Sequence, residues 1–149
     1  RDEAKLTLTG IDDRPGIAAN IFGPLAEIGV NVDMIVQNIS ENGRTDMTFS
    51  CPTDQVTRAE QALKTASKNN TIKYKNLVVD QEIAKLSIVG IGMRTHAGIA
   101  LKMFEALAAE SINILVISTS EIKISVLINR KYLELAVQTL HDTFELEKA

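Results

Sequence analysis

The sequence predicts an α+β fold of two βαββαβ units in tandem, each with an antiparallel sheet and helices on one face. Three observations support this prediction. The chain repeats itself in order, each copy alternates strand-type and helix-type apolar patterns, and glycine and proline residues separate these segments. We place the first unit at residues 5–80 and the second at residues 81–149.

The internal repeat comprises five segment pairs in the same order, with small changes of offset that loop insertions explain. A chance match would not keep its order over five segments. The pairs are KLTLTGI from Lys5 with KLSIVGI from Lys85, PGIAANIFGPLA from Pro15 with AGIALKMFEALA from Ala97, VNVDMIVQNIS from Val30 with INILVISTSEI from Ile112, MTFSC from Met47 with ISVLI from Ile124, and AEQAL from Ala59 with AVQTL from Ala136.

The first copy begins with a strand in which Leu6 and Leu8 alternate with threonines. A helix with Pro24 inside it follows, and Gly29 can end it. Strand VNVDMIVQN, the turn Asn42-Gly43 and strand TDMTFSC come next. Thr53 or Asp54 can cap the second helix, and a strand over about Ile72 to Val79 closes the copy. The apolar helix positions are Ile17, Ile21, Leu25 and Ile28, then Val56, Ala59, Leu63 and Ala66.

The second copy repeats this order but ends early, because only FELEKA follows its last helix. That is little for a fourth strand, so either another segment fills the open sheet edge or the chain has been trimmed. A start at Arg1 rather than Met also suggests a fragment or a processed piece. The apolar helix positions of this copy are Ile99, Met103, Phe104 and Leu107, then Leu133, Ala136, Val137 and Leu140.

Composition excludes several classes of protein. The 149 residues include 19 acidic and 16 basic ones, a net charge of −3, and no Lys/Arg cluster, which disfavours nucleic acid as a partner. No apolar run reaches the roughly 18 residues that a membrane span needs. The polar first residues are unlike a signal peptide, and the single cysteine fits a reducing compartment, so we expect a cytoplasmic protein without a membrane partner.

Residues suited to catalysis are few. The only thiol is Cys51 and the only histidines are His96 and His141, so an enzyme would need Cys51 paired with one of them. Cys51 ends an alternating strand, where a small buried side chain is common. The histidines show no metal-ligand spacing, and the loop Gly90-x-Gly92 lacks the third glycine of a dinucleotide site. We therefore expect no catalytic residue, metal or cofactor.

Two loops that join a strand to a helix are the candidate binding elements: GIDDRPG from Gly10 and GIGMRTHAG from Gly90. Helix-start N–H groups favour a carboxylate, and Asp13 beside them could bind an ammonium group. Together these groups suit the two ends of a free amino acid. The alternative is that Asp13 only caps the helix and Gly16 only makes a turn.

Polar residues on otherwise apolar strands form a second candidate set. They are Gln37, Asn38 and Ser40 in the first copy and Ser118, Thr119, Ser120 and Glu121 in the second. Two interpretations stay open: solvent-facing strand ends, or hydrogen bonds to a ligand or to the opposite copy. Asn31 and Asn113 match at the helix-to-strand turns of both copies, where asparagine is common.

The chain resembles the ACT domain, a small ligand-sensing module with the order βαββαβ. The segments that carry this resemblance are DRPGIAANIF, NVDMIVQNIS, TDMTFSCP, KLSIVGIGMRTHAG and STSEIKISVLI, which span most of the chain. The paired arrangement is similar to the regulatory region of aspartokinase, and VDMIVQNIS together with STSEIKISVLI is typical of that family. The catalytic kinase domain of the family is absent from this sequence, so the chain is similar to a separate β subunit or to an excised regulatory fragment.

The resemblance implies feedback control of aspartate phosphorylation by amino acids, with threonine as the first candidate effector and lysine as the second. It implies a homodimer through the ACT domains, association with an aspartokinase catalytic domain or α subunit, and a fourth strand supplied from upstream of Arg1. One effector site would use Asp13, Gly16, Ala18 and Gln37 of one copy with Asn113 and Ile114 of the other. The pseudo-equivalent site would use Met93, Thr95, His96, Gly98, Ile99 and Thr119 with Asn31 and Val32.

Ser40 and Ser120 match family positions linked with the response to effectors. Two other functions remain alternatives to this one: an ACT-type sensor of another amino-acid enzyme, and a dimerisation module without a ligand.

Overall fold

A computed structural model describes residues 2–39, 41–89 and 96–148. The chain divides into two compact units, Arg1–Gln81 and Glu82–Ala149. Each unit combines helices with an antiparallel sheet, as the sequence predicts.

The first unit contains, in order, β1 (Glu3–Asp12), α1 (Ile17–Glu27), β2 (Ile35–Ile39), β3 (Arg44–Pro52), α2 (Val56–Lys68) and the start of β4 (Asn76–Val89). Its strand order is β2-β3-β1-β4. The register places Leu6 opposite Phe49 and Leu8 opposite Met47. These side chains are fully buried and form one core with the apolar faces of the two helices.

Helix α1 begins after Gly16 and contains Pro24, and its predicted apolar positions Ile17, Ile21 and Leu25 are buried. Gly29 follows the helix with φ +74°, a left-handed conformation that suits glycine, so the predicted helix end is confirmed. Ile28 was predicted to be a core residue, but it is 40% exposed because it is the C-cap residue and lies past the last buried turn.

Three features that the sequence predicts for the first unit are wrong: the starts of two strands and the cap of one helix. The strand predicted from Val30 begins at Ile35. Asp33 and Met34 form backbone hydrogen bonds with Ser50, but these bonds lie outside the regular pairing of β2 with β3. The closing strand begins at Asn76 rather than near Ile72. Neither Thr53 nor Asp54 caps α2, because both belong to a turn of 3-10 helix (Thr53–Gln55) that leads into it.

The second unit takes β4 from Glu82 and continues with α3 (His96–Ala109), β5 (Ile114–Thr119), β6 (Lys123–Asn129) and α4 (Leu133–Lys148). Its strand order is β4-β6-β5, so the described part of this unit has a three-stranded sheet. The segment FELEK extends α4. Val137 is 51% exposed, against the sequence prediction, since the buried stripe of α4 runs through Ala136 and Leu140.

A pair of facing hydroxyl side chains occurs at matching strand positions in both units. The hydroxyls of Thr7 and Thr48 lie 3.0 Å apart across β1 and β3, and those of Ser87 and Ser125 lie 2.8 Å apart across β4 and β6. None of the helices in the described ranges has the length and apolar character required to cross a bilayer.

Candidate functional site

The start of α1 is an uncapped helix N-terminus. Its N-cap residue is Gly16, which makes no side-chain cap and has φ +87°. The Ile17 amide donates to the Arg14 carbonyl at 3.2 Å, whereas first-turn amides such as those of Ala18 and Ala19 have no acceptor within a helix. The interpretation of Asp13 as a helix cap is therefore wrong, and the α1 terminus offers N–H donors to an anionic group.

Asp13 and Asp12 have different environments although they are adjacent. The Asp12 carboxylate forms an ion pair with the Arg44 guanidinium at 3.3 Å. The Asp13 amide donates to the Gly43 carbonyl at 2.9 Å, which fixes the loop against the start of β3. The Asp13 carboxylate is exposed and forms no hydrogen bond or ion pair within residues 2–39, 41–89 and 96–148. It is therefore available to a cationic group.

Gln37 lies at the same end of the first unit as this loop. It pairs with Met47, and Ile39 pairs with Thr45, the residue that also faces Ile11 at the end of β1. The fold thus places four predicted site residues at one end of one unit. They are Asp13, Gly16, Ala18 and Gln37, all exposed.

Asn31 and Val32 lie at the opposite end, where α1 passes to β2. The Asn31 amide donates to the Gln55 side-chain oxygen at 2.6 Å. Asn31 also borders a cavity of about 480 Å³ with four carboxylates around it. These carboxylates belong to Asp2, Glu3, Asp33 and Asp54.

In the second unit, too, the predicted site residues lie at two opposite ends. Gly98 and Ile99 are in the first turn of α3, and Thr119 ends β5 opposite Ile124. The Ser120 amide donates to the Lys123 carbonyl at 2.8 Å in the β5–β6 turn. Asn113 and Ile114 are at the other end, where α3 passes to β5. Ser40, Met93, Thr95 and the side chain of His96 lie outside what the structure describes.

Cys51 is unsuited to nucleophilic catalysis. Its side chain is fully buried, and burial together with the carboxylates of Glu3 and Asp54 raises the pKa of its thiol to about 11. A nucleophilic thiol requires a lowered pKa and access to substrate. The interpretation as an enzyme with a Cys51–His pair is therefore wrong. Among the residues that the structure describes, no group of three or more His, Cys, Asp or Glu side chains could hold a metal ion.

The sequence reasoning missed one cluster of charged residues. Arg44, Lys73 and Lys75 line a cavity of about 500 Å³ together with Gly10 and Tyr74. The segment KYK at residues 73–75 was visible in the sequence. The approach of Arg44 was not, because it depends on the register in which β3 pairs with β1.

A family model and the sequences of known proteins both match this chain over most of its length. An ACT-domain family model matches residues 6–66 and 86–144. The aspartate kinase of Pseudomonas fluorescens is 55% identical over 147 residues, 99% of this chain and 35% of that protein. The aspartokinase of Helicobacter pylori is 51% identical over 149 residues, 99% of this chain and 36% of that protein. The chain thus spans about a third of the length of these relatives.

Solved structures of aspartokinase regulatory regions also match nearly the whole chain. The regulatory subunit of aspartate kinase from Thermus thermophilus in its ligand-free form is 40% identical, with a TM-score of 0.87 over 96% of this chain and 93% of that one. A chain from a structure of aspartokinase alpha and beta subunits is 41% identical, with a TM-score of 0.86 over 97% of this chain and 93% of that one.

Proposed function

Because the chain belongs to the ACT-domain family and is the tandem regulatory region of an aspartokinase, we propose that it senses free threonine and inhibits aspartate phosphorylation. The observation that carries this proposal is the uncapped N-terminus of α1 beside the Asp13 carboxylate. The amides suit the carboxylate of an amino acid, and Asp13 suits its ammonium group.

Gln37 supplies a polar group for the side chain of the effector. It lies at the same end of the unit as Asp13, and its amide can both donate and accept a hydrogen bond. The threonine hydroxyl needs such a partner. Asn113 and Ile114 of a second copy would complete this site, in the homodimer that the resemblance to aspartokinase regulatory regions implies.

Exposed apolar residues on edge strands support the homodimer. Strand β2 ends the order of the first unit and carries Ile35, which is 50% exposed, while β5 ends that of the second unit and carries Ile117, which is 45% exposed. Unpaired edges with apolar side chains favour strand pairing with another chain. We infer that β2 of one copy meets β5 of the other and that both effector sites form at these junctions.

Lysine is the second candidate effector, at the pseudo-equivalent site. Here Met93, Thr95, His96, Gly98, Ile99 and Thr119 of one copy would meet Asn31 and Val32 of the other. The exposed Asp54 carboxylate at the cavity beside Asn31 favours an effector with a cationic side chain. Norleucine, which lacks the terminal ammonium group, is the matched comparison ligand.

Titration calorimetry with the twenty amino acids, followed by light scattering with and without the best ligand, tests the proposal. We expect saturable binding of L-threonine, weaker or no binding of D-threonine, serine and valine, and a dimer mass at micromolar protein. Lysine should bind more tightly than norleucine. Absence of binding by every amino acid would leave the dimerisation module as the better interpretation. Addition of the chain to its kinase catalytic part, with and without threonine, then tests inhibition.

A further inference from the structure

The first unit carries a cationic cavity that amino-acid sensing does not use. It has a volume of about 500 Å³, and three of its five lining residues are positively charged: Arg44, Lys73 and Lys75. The whole chain has a net charge of −3, so this concentration of cations is a local feature. We propose that the cavity binds a polyphosphate group, either as an inorganic polyphosphate or as part of a nucleotide.

Two hydrogen bonds hold together the chain segments that line this cavity. The Lys75 amide donates to the Thr9 carbonyl at 2.7 Å, and the Arg44 guanidinium donates to the Gly10 carbonyl at 3.1 Å. Gly10 has φ +66°, and a Cβ placed there would lie 2.8 Å from the Cβ of Lys75. Only glycine allows this close approach of two chain segments, which brings a cation of β3 next to the cations before β4.

The charge of the cavity is only partly cancelled by its surroundings. Asp12 pairs with Arg44, and the Asp46 carboxylate accepts the Gly10 amide at 3.0 Å, so two carboxylates lie at the margin. Lys73 and Lys75 are exposed, and neither ammonium group forms an ion pair within the described ranges. Tyr74, between the two lysines, packs against the buried core of the first unit and so fixes the backbone from which Lys73 and Lys75 extend.

The fold itself does not require this charge. The repeat that matches Met47 with Ile124 places Glu121 where the first copy has Arg44. A scaffold requirement would appear in both copies. The charge of Arg44 is therefore specific to the first unit and indicates a function there.

The chemistry of the lining favours phosphate over a single carboxylate. Arginine donates to phosphate oxygens in a planar fork, and lysine ammonium groups add point charges that suit several phosphates in a row. The three cations around one cavity suit the several negative charges of a polyphosphate better than the single charge of a carboxylate. A nucleotide would in addition place its nucleoside against Tyr74.

Titration calorimetry at low salt with tripolyphosphate, ATP and adenosine tests the proposal on the wild-type chain without any amino acid. We expect saturable tripolyphosphate binding that weakens about tenfold in the Lys73→Ala/Lys75→Ala double variant. The matched control, Lys64→Ala/Lys68→Ala on α2, removes the same charge from an exposed helix face and should bind within twofold of wild type. Tighter binding of ATP than of tripolyphosphate would identify a nucleotide site, and equal binding would identify the phosphate group alone.

Two outcomes would overturn the proposal: no saturable binding of any phosphate compound, or equal weakening in both double variants. Equal weakening would mean that net charge rather than this cavity attracts the anion. Circular dichroism of all variants shows whether each one is folded. Because the experiment contains no amino acid, its failure leaves the threonine proposal intact, and failure of that proposal leaves this one intact.

Discussion

The hydroxyl oxygens of Thr7 and Thr48 lie 3.0 Å apart on directly opposed residues of β1 and β3, and Ser87 and Ser125 repeat this pair in the second unit. Both threonines are half-buried. Removal of one hydroxyl lowers stability by more than the net contribution of the hydrogen bond, because the remaining hydroxyl stays desolvated without a partner. Replacement of both hydroxyls by methyl groups of similar shape removes that penalty.

The first prediction is a double-mutant cycle on this pair. Thr7→Val and Thr48→Val should each lower the free energy of unfolding by about 1 kcal/mol, and the double variant should lie close to wild type. Urea unfolding of the four proteins gives the coupling energy. If the two single effects simply add, the hydroxyl pair makes no contribution to stability.

The second prediction concerns Cys51 and alkaline pH. Since burial raises the pKa of the thiol to about 11, the folded chain keeps its proton at pH values where the unfolded chain loses it. Ionisation then favours unfolding, so the free energy of unfolding should fall as the pH rises from about 9 to 11, by on the order of 1–3 kcal/mol.

The Cys51→Ala variant isolates this effect, because every other titrating group is retained. It should be less stable at pH 7, since it leaves a cavity in the core, but should lack this part of the alkaline loss. Urea unfolding of both proteins at pH 7, 9 and 10.5 is the measurement. The thiol should also resist a disulfide reagent until the chain unfolds, and rapid labelling of the native protein would contradict this interpretation.

The third prediction compares two glycines with positive φ. Gly29→Ala should cost about 1–2 kcal/mol, because φ is +74° there but no atom lies within 4 Å of the new Cβ. Gly10→Ala should cost more, since the same backbone strain is joined by the 2.8 Å approach to Lys75. Thermal unfolding of the two variants checks the order. Equal losses would mean that Lys75 moves aside without cost.

Residue pattern was enough to predict most of the fold. Alternation identified the buried residues of β1 and β3, and the helical spacing of Val56, Ala59, Leu63 and Ala66 is confirmed in full. The errors in the predicted core have two causes. Ile28 lies past the last buried turn of α1, and a periodic pattern does not show where a helix leaves the core. Val137 lies within α4 but beside the stripe that Ala136 and Leu140 bury.

The candidate site was predictable only in part. The glycine at the start of α1 and the adjacent aspartate are local signals, so Gly16 and Asp13 could be named from the sequence. The ion pair of Arg44 with Asp12 rather than Asp13 is not a local signal, because it depends on where β3 places Arg44. The cationic cavity has the same dependence on register.

The fourth prediction concerns recognition of the threonine hydroxyl by Gln37. Wild-type protein should bind L-threonine at least about tenfold more tightly than L-valine, because a polar group that loses its partner is costly. Gln37→Ala should reduce this preference to about twofold. Asn38→Ala is the control, since neighbouring residues of a strand point to opposite faces. Calorimetric affinities that are equal for the two ligands in wild type would refute the hydroxyl argument while leaving amino-acid sensing untouched.

The last prediction is that Asp13→Ala abolishes threonine binding while the protein stays folded. Asp13 is exposed, and its carboxylate forms no bond that holds the described part of the chain together, so truncation should hardly change the melting temperature. If the carboxylate binds the effector ammonium, its loss removes a charge-assisted hydrogen bond and leaves the ammonium desolvated. Losses of roughly 2–5 kcal/mol are typical of such a change.

Asp12→Ala is the matched control for this variant. It removes the same charge from the adjacent position and breaks the ion pair with Arg44, which is exposed and worth about 0–1 kcal/mol. It should therefore bind threonine within threefold of wild type, whereas Asp13→Ala should show no threonine-dependent rise in melting temperature. Equal loss in both variants would indicate a general effect of loop charge. Binding by Asp13→Ala within threefold of wild type would exclude Asp13 as an effector contact, because no desolvated ion pair could be lost at so small a cost.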